Sequence, residues 1–397
     1  MSHRGIVIAG AGECGVSAAF ALRKSGFEGR IVLLGAEASY PYERPPLSKE
    51  ITSAPKQIRP PSAFEDATID LRLGTNVEAI EVDKKRVRLS GSDLIEYDKL
   101  LLATGARERL FPGLEGCLTL RTDEDTKEIS SHFKPQAQIG IVGGGFIGLE
   151  LAASARLAGA VVTVFEAAPQ LLARAVPSEI SKMVHDRHLA ERVVVKTSTP
   201  VALADANSVT LDDGSAFEFD AVIAGVGAVP NTELAEAAGL AVDNGILVDG
   251  DFRTSDPHIF AAGDCCNFEW RGQRIRLESW RAAQDQGGHV AAAILGAKDP
   301  YTKVPWFWSD QYELTLQVAG CFNQSHPIWE RTGGPDTKLV FQCDSNSRLL
   351  AVAGVGPGNA VAKDLRVLEK LIERDPVIDP DVLVDAKTNL KNLLKAA

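Results

Sequence analysis

The sequence predicts an α/β protein built on two β-α-β units and closed by an α+β segment. Three observations predict it. The glycine pattern Gly10-x-Gly12-x-x-Gly15 follows a short β-branched run. The same pattern returns at Gly143-x-Gly145-x-x-Gly148. From about Trp306 onward the chain becomes richer in aromatics and in strand-like stretches. Self-similarity of this kind points to a repeated unit before any element is placed.

The elements follow in order. Gly5-Ile-Val-Ile-Ala-Gly-Ala-Gly-Glu-Cys-Gly15 and Gly140-Ile-Val-Gly-Gly-Gly-Phe-Ile-Gly148 each read as strand, glycine turn and alanine-rich helix. The first helix is expected over Cys14 to Ser25, ended by Gly26, and the second over Phe146 to Ala158, ended by Gly159. Glycine at those positions suits a helix C-terminus, where a left-handed residue is often needed. A second strand follows each, Arg30 to Leu34 and Val161 to Phe165. Tyr97 to Leu102 and Asp220 to Ala224 are further buried strands, running into Ala103-Thr104-Gly105 and Gly225-Val-Gly227. The separation of the two patterns implies two Rossmann-like domains rather than two halves of one sheet. Domains are expected at 1–108 with 236–305, at 109–235, and at 306–397. The last would contain strands at Leu339 to Gln342 and Leu349 to Ala353, a helix at Lys363 to Glu373, and a final helix near Pro380 to Leu394.

Composition narrows the function classes. The 397 residues carry a formal net charge of -11, whereas a nucleic-acid-binding domain usually presents a basic face. Two local basic clusters remain, Lys84-Lys85-Arg86 with Arg88, and Arg271, Arg274, Arg276 and Arg281. No run of about 18 uncharged apolar residues suggests a membrane-crossing helix. Six cysteines without zinc-type spacing, and no secretory pattern at Met1, read as reduced thiols in a cytoplasmic protein. No metal site is expected.

The glycine patterns carry the chemistry. In such a loop the backbone turns tightly, approaches a pyrophosphate closely, and delivers it to a helix N-terminus whose free N–H groups favour anions. Gly10, Gly12, Cys14 and Gly15 are the candidates in the first copy, followed by the acid Glu37. Gly143, Gly145, Phe146, Ile147 and Gly148 are those in the second, with Gly227 on the neighbouring turn. Glu166 ends the second strand of the second copy. An acid there can accept from a ribose 2′-OH and would repel a 2′-phosphate, and Ala167 and Ala168 supply no compensating cation, so NADH is favoured over NADPH. Two fingerprints imply two dinucleotides, and FAD with NADH is the economical pairing for electron transfer.

Further motifs carry a family resemblance. Thr254-Ser-Asp-Pro-His-Ile-Phe-Ala-Ala-Gly263-Asp264 resembles the second FAD-binding motif of glutathione-reductase-like flavoproteins with two dinucleotide sites. Ala103-Thr104-Gly105 is similar to their connecting motif. Pro41-Tyr-Glu-Arg44-Pro-Pro-Leu-Ser-Lys49, Arg276-Leu-Glu-Ser-Trp280 and Trp306-Phe-Trp-Ser-Asp-Gln-Tyr312 resemble segments of bacterial oxygenase-coupled ferredoxin reductases. The resemblance spans the chain and fades after about residue 325. It implies that Asp264 meets an FAD ribityl hydroxyl, that Arg44 and Ala103 to Gly105 belong to the FAD site, and that Lys49 lies beside the isoalloxazine. Glu150 would face Lys49 across the nicotinamide site, and the helix after Trp280 would aim N–H groups at the flavin. Trp308 would line the route to an iron–sulfur partner. One departure stands out: Ala36 occupies a position that is acidic in many relatives, so either Glu37 takes over the ribose contact or the contact differs.

The cysteines sharpen the expectation. Residues 40–50 contain none, so the redox-active thiols that related disulfide reductases and peroxidases carry there are missing. Flavin would then hand electrons to an external acceptor. The expected activity is transfer from NADH through FAD to a [2Fe-2S] ferredoxin serving a cytochrome P450 or Rieske oxygenase, by a monomer or weak dimer. The alternatives are reduction of rubredoxin or a small acceptor, and a non-enzymatic NADH-sensing flavoprotein.

Overall fold

A computed structural model describes residues 5–51, 53–323, 325–334 and 336–396. Residues 1–4, on which the leader-free reading of the N-terminus partly rests, lie outside the described set. The chain forms two compact units. The first comprises Met1–Arg44, Ala54–Arg107 and Ala228–Lys303, and the second Pro45–Ser53, Glu108–Gly227 and Val304–Ala397.

The first unit centres on a five-stranded parallel sheet in the order Ile259–Ala261, Lys99–Leu102, Ile6–Ala9, Ile31–Leu34, Ile69–Arg72. Ile6 pairs with Ile31 on one side and Lys99 on the other. Every residue of the Ile6–Ala9 and Ile31–Leu34 strands is buried. That explains their unbroken apolar runs, because a parallel strand covered on both faces has no polar face to alternate with. The helix Glu13–Lys24 follows the first strand and lies against the helix Trp280–Ile294. Gly287 permits that approach: a Cβ there would sit 2.8 Å from Ser17 Cβ.

The second unit holds a four-stranded parallel sheet, Val194–Lys196, Val161–Phe165, Gln138–Val142, Ala221–Ala224. Both sheets are Rossmann-like β-α-β arrangements, as expected. The same unit contains a five-stranded antiparallel sheet, Trp306–Gln311, Leu314–Gly320, Leu349–Pro357, Lys338–Cys343, Ile328–Thr332. The helix Ala362–Arg374 covers it, burying Leu365, Leu368, Leu371 and Ile372 against Phe341 and Val352. Their three- and four-residue spacing places them on one helix face.

Most element boundaries move by a residue or two. The final helix is a larger difference, because it divides into Pro380–Val384 and Leu390–Ala396. Asp385 turns the chain by accepting from the Lys387 N–H at 2.9 Å. The buried Arg331 guanidinium donates to the carbonyls of Leu383, Asp385, Ala386 and Thr388.

Candidate functional site

The two glycine loops divide the same labour among their three glycines. Gly10 has φ +118 and Gly143 φ +109, backbone that side chains rarely adopt. A Cβ on Gly15 would collide with the Gly10 carbonyl, and one on Gly148 with the Gly143 carbonyl, so the third glycine lets helix and strand pack. The middle glycine differs. A Cβ on Gly12 would meet nothing within 4 Å, and one on Gly145 only the Gly225 carbonyl at 3.8 Å. The helices Glu13–Lys24 and Phe146–Leu157 begin right after these two positions, with no side-chain N-cap bond. Each loop therefore presents open space in front of a helix N-terminus that its N-cap glycine leaves uncapped, which is the arrangement a pyrophosphate needs.

The acids that follow are held differently. Glu37 accepts from Tyr42 Oη at 2.5 Å and from the Arg44 guanidinium at 2.6 Å. Glu166 instead accepts backbone N–H bonds from Gly144 and Ala168, each at 2.7 Å. The first carboxylate is neutralised by a cation, and the second is held by peptide dipoles.

In the first unit, Ala103-Thr104-Gly105 leaves the sheet and is fastened to Asn231. Thr104 Oγ1 donates to the Asn231 carbonyl at 2.7 Å, and Asn231 Nδ2 donates to the Thr104 carbonyl at 2.8 Å. Gly105 has φ +68, a turn glycine in the strict sense. Gly263 precedes Asp264, and its N–H donates to Gln286 Oε1 at 2.7 Å. Trp280 opens the helix Trp280–Ile294 behind Ser279, whose side chain accepts from the Ala282 N–H at 3.1 Å. Cys14, Cys265 and Cys266 are buried free thiols, and burial pushes all three up from their ordinary value. Neutral buried thiols are poor electron carriers, because the thiolate is the reactive form.

The basic clusters are cross-paired. Lys84 and Arg86 both meet Glu81, Arg276 meets Glu278, and Arg281 faces Asp285.

In the second unit, Lys49 ends the short helix Pro46–Lys49, and Glu150 lies one turn into the helix Phe146–Leu157. Lys49 Nζ donates to Glu150 Oε1 at 2.6 Å. Glu150 is only 4% exposed and accepts two further bonds, from the hydroxyls of Ser48 and Ser309, the latter at 2.5 Å. A buried carboxylate is tolerated when it is paired and fully hydrogen-bonded, and this one has a cation and two hydroxyls. Ser154 Oγ ties the Pro46–Lys49 helix down by donating to the Ser48 carbonyl at 2.8 Å. Lys49 also lies over the Trp308 ring, 5.7 Å from its centroid, and Trp308 stacks on Trp306. Phe146 contacts Phe307 edge-to-face, and Ile147 is exposed. Gly227, at φ +121, accepts from the Arg109 N–H at 2.9 Å.

Comparison with known proteins adds to this geometry. A pyridine nucleotide-disulphide oxidoreductase family model matches residues 4–287, and a reductase C-terminal model matches residues 306–394. The chain is 39% identical to rhodocoxin reductase of Rhodococcus erythropolis, over 97% of this chain and 93% of the relative. It is 39% identical to the ferredoxin–NAD(+) reductase component of the anthranilate 1,2-dioxygenase system of Burkholderia cepacia, over 99% of this chain and 100% of the relative. The putidaredoxin reductase chain of a solved covalent putidaredoxin reductase–putidaredoxin complex matches with a TM-score of 0.93 at 35% identity, covering 100% of this chain and 99% of that one.

The chain belongs to the pyridine nucleotide-disulphide oxidoreductases, in the group of oxygenase-system ferredoxin reductases.

Membership makes it an oxidoreductase using FAD and NADH, and the residues fit both groups. The open faces at Gly12 and Gly145, each before an uncapped helix, are the cradles that two pyrophosphates require. Members whose second redox centre is a disulphide carry its cysteines near the flavin, and residues 40–50 of this chain contain none. Ser48, Ser309, Gln311 and His188 escaped sequence reasoning as contributors to the site. Ser48 and Ser309 lie inside motifs that were legible, but a serine becomes significant only once a buried carboxylate is found against it.

Proposed function

We propose that this chain is an FAD-dependent NADH:ferredoxin reductase whose electrons reach a small [2Fe-2S] ferredoxin serving a cytochrome P450 or Rieske oxygenase. Support comes from relatives described as reductase components of ferredoxin-dependent oxygenase systems and from the likeness to the putidaredoxin-bound reductase. The observation that carries the reading is the buried Lys49–Glu150 pair, in a chain with no cysteine between residues 40 and 50. FAD, when bound, supplies the ability to take a hydride from NADH and to release electrons one at a time.

The residues divide the work. Gly10, Gly12 and Gly15 receive the FAD pyrophosphate, with Cys14 packing behind them. Glu37 and Arg44 bound the adenosine end, and Ala103, Thr104, Gly105 and Asp264 the ribityl region. Trp280 opens a helix whose N-terminal dipole favours negative charge on the flavin. Gly143, Gly145, Phe146, Ile147, Gly148 and Gly227 receive NADH, and Glu166 accepts from its ribose. Lys49 is the cation that stabilises negative charge as it develops, and Glu150 orients Lys49. Segments 1–108 with 236–305 form the FAD domain, 109–235 the NADH domain, and 306–397 the C-terminal domain. The chain works in the cytoplasm as a monomer or weak dimer. No described helix is long and apolar enough to cross a membrane.

The test is NADH-driven cytochrome c reduction with and without an added [2Fe-2S] ferredoxin. The reaction is expected to require ferredoxin. Equal rates without it would sink this reading in favour of a small-acceptor reductase, and slow reoxidation by every acceptor would favour an NADH-sensing role.

A further inference from the structure

Glu150 is the end of a hydrogen-bonded series that continues well beyond Lys49. Ser309 Oγ, which donates to Glu150 Oε1, accepts from Gln311 Nε2 at 3.0 Å. Gln311 Oε1 contacts His188 Nε2 at 2.8 Å, and His188 Nδ1 contacts Tyr312 Oη at 3.4 Å. With the His188 proton on Nε2, every bond points the same way. Tyr312 donates to His188, His188 to Gln311, Gln311 to Ser309, and Ser309 to the Glu150 carboxylate. His188, Gln311 and Ser309 are all buried. Burial also lowers His188 to about 4, so the imidazole is neutral near pH 7.

The backbone beside this series is strained. Gln311 pairs with Leu314 across a two-residue hairpin turn, Tyr312-Glu313. Such turns favour Asn or Gly, which tolerate positive φ. Tyr312 nevertheless sits at φ +58, a conformation that persists only where surrounding contacts enforce it. The helix Ser178–Ala190 supplies those contacts. Arg187 grips both Glu313 carboxylate oxygens, at 2.7 and 2.8 Å, and its guanidinium lies 4.4 Å above the Tyr312 ring. His188, the next residue, meets the same hairpin from the buried side.

We propose that His188 is a positioning residue for the Lys49–Glu150 pair, acting through a one-directional chain of hydrogen-bond donors that ends on Glu150. The strained hairpin tip and the Arg187 grip hold that chain in register. A row of donors aligned on a carboxylate fixes its rotamer and strengthens each bond along the row. Glu150 then holds the Lys49 ammonium in a single place. The role at the flavin rests on the reading that Lys49 stabilises reduced FAD, whereas the series itself does not.

Two readouts on the FAD-loaded protein separate these levels. The first is the rate at which Lys49 is modified by an amine-specific reagent, followed by mass spectrometry. His188→Leu and Gln311→Met cut the series, and each is expected to speed Lys49 modification by about 3- to 10-fold, the loss of one net hydrogen bond. His188→Gln, whose amide nitrogen can reach Gln311 as Nε2 does, should restore the slow rate. In a Ser309→Ala background, where the series is already cut, His188→Leu should add nothing. Should His188→Leu fail to fold, Gln311→Met carries the same comparison. Unchanged Lys49 modification in the cut variants, failure of His188→Gln to restore it, or full additivity with Ser309→Ala would overturn the proposal.

The second readout is the midpoint potential of the bound flavin. Glu150→Gln leaves the Lys49 charge uncompensated and should move the potential upward. The cut variants keep the Glu150 charge but loosen Lys49, so they should move the potential slightly downward. A potential unmoved by Glu150→Gln would refute the placement of the pair beside the flavin, while the donor series would still be judged on Lys49 modification alone.

Discussion

The two glycine loops are nearly the same object, and the acids that follow them are not. In both, the first glycine turns the chain, the third lets helix and strand touch, and the middle one faces open space. Glu37 is held by an ion pair with Arg44 and a bond from Tyr42, whereas Glu166 is held by two backbone N–H groups. The shared framework provides generic binding of a pyrophosphate. On the proposed reading, the choice of dinucleotide falls to a single carboxylate and its neighbours. On the same reading, Glu37 paired with Arg44 borders the cofactor that stays bound throughout turnover, and Glu166 is the acid that would repel a 2′-phosphate and sort NADH from NADPH.

The largest expected effect breaks the likeness between the loops. Gly15→Ala forces a Cβ onto the Gly10 carbonyl, and Gly148→Ala does the same at Gly143. Gly15→Ala is expected to yield protein without flavin, read from the ratio of 450 nm to 280 nm absorbance. Gly148→Ala should retain flavin and raise KM for NADH by about tenfold or more, a misplaced pyrophosphate being a loss of binding rather than of chemistry. Equal flavin loss in both would mean that the loops are not divided between two cofactors.

A second contrast is acid sensitivity, which the second unit concentrates in His188. Burial lowers this imidazole from 6.5 to about 4. A depressed histidine binds its proton more readily in the unfolded chain, so stability falls as pH drops from 6.5 toward 4. Between pH 7 and pH 5 the loss should be about 2 kcal/mol. His188→Gln should flatten that part of the stability profile, measured by urea unfolding at the two pH values. An equally steep profile in the variant would place the acid sensitivity elsewhere.

The smallest effect sharpens the contrast between the acids. Glu166→Ala should lower the preference for NADH over NADPH in kcat/KM by about tenfold, the scale of one charge-assisted hydrogen bond. Glu37→Gln should leave that preference unchanged, so a matching drop in both variants would remove the distinction drawn between them.

Much of this protein was legible before any coordinates. Both β-α-β units follow from glycine spacing and β-branched runs, because a pyrophosphate-binding turn tolerates few other residues. Lys49 and Glu150 were legible only through the motifs around them, since nothing in their spacing along the chain brings them together. The break in the last helix was half hidden: Asp385 and Asn389 mark it locally as turn and cap residues, but Arg331 reaches it from a distant strand.

The sequence by itself determined the two dinucleotide units, the cofactor pair and the lack of a redox thiol in residues 40–50, all of which rest on short-range patterns. Tertiary structure alone decided that Glu37 meets a guanidinium while Glu166 is held by backbone N–H groups, and that Ser48, Ser309, Gln311 and His188 form a series ending on a buried carboxylate. These are matters of which distant side chains meet. A hydroxyl or an imidazole acquires its role from the group it faces, and folding chooses that group.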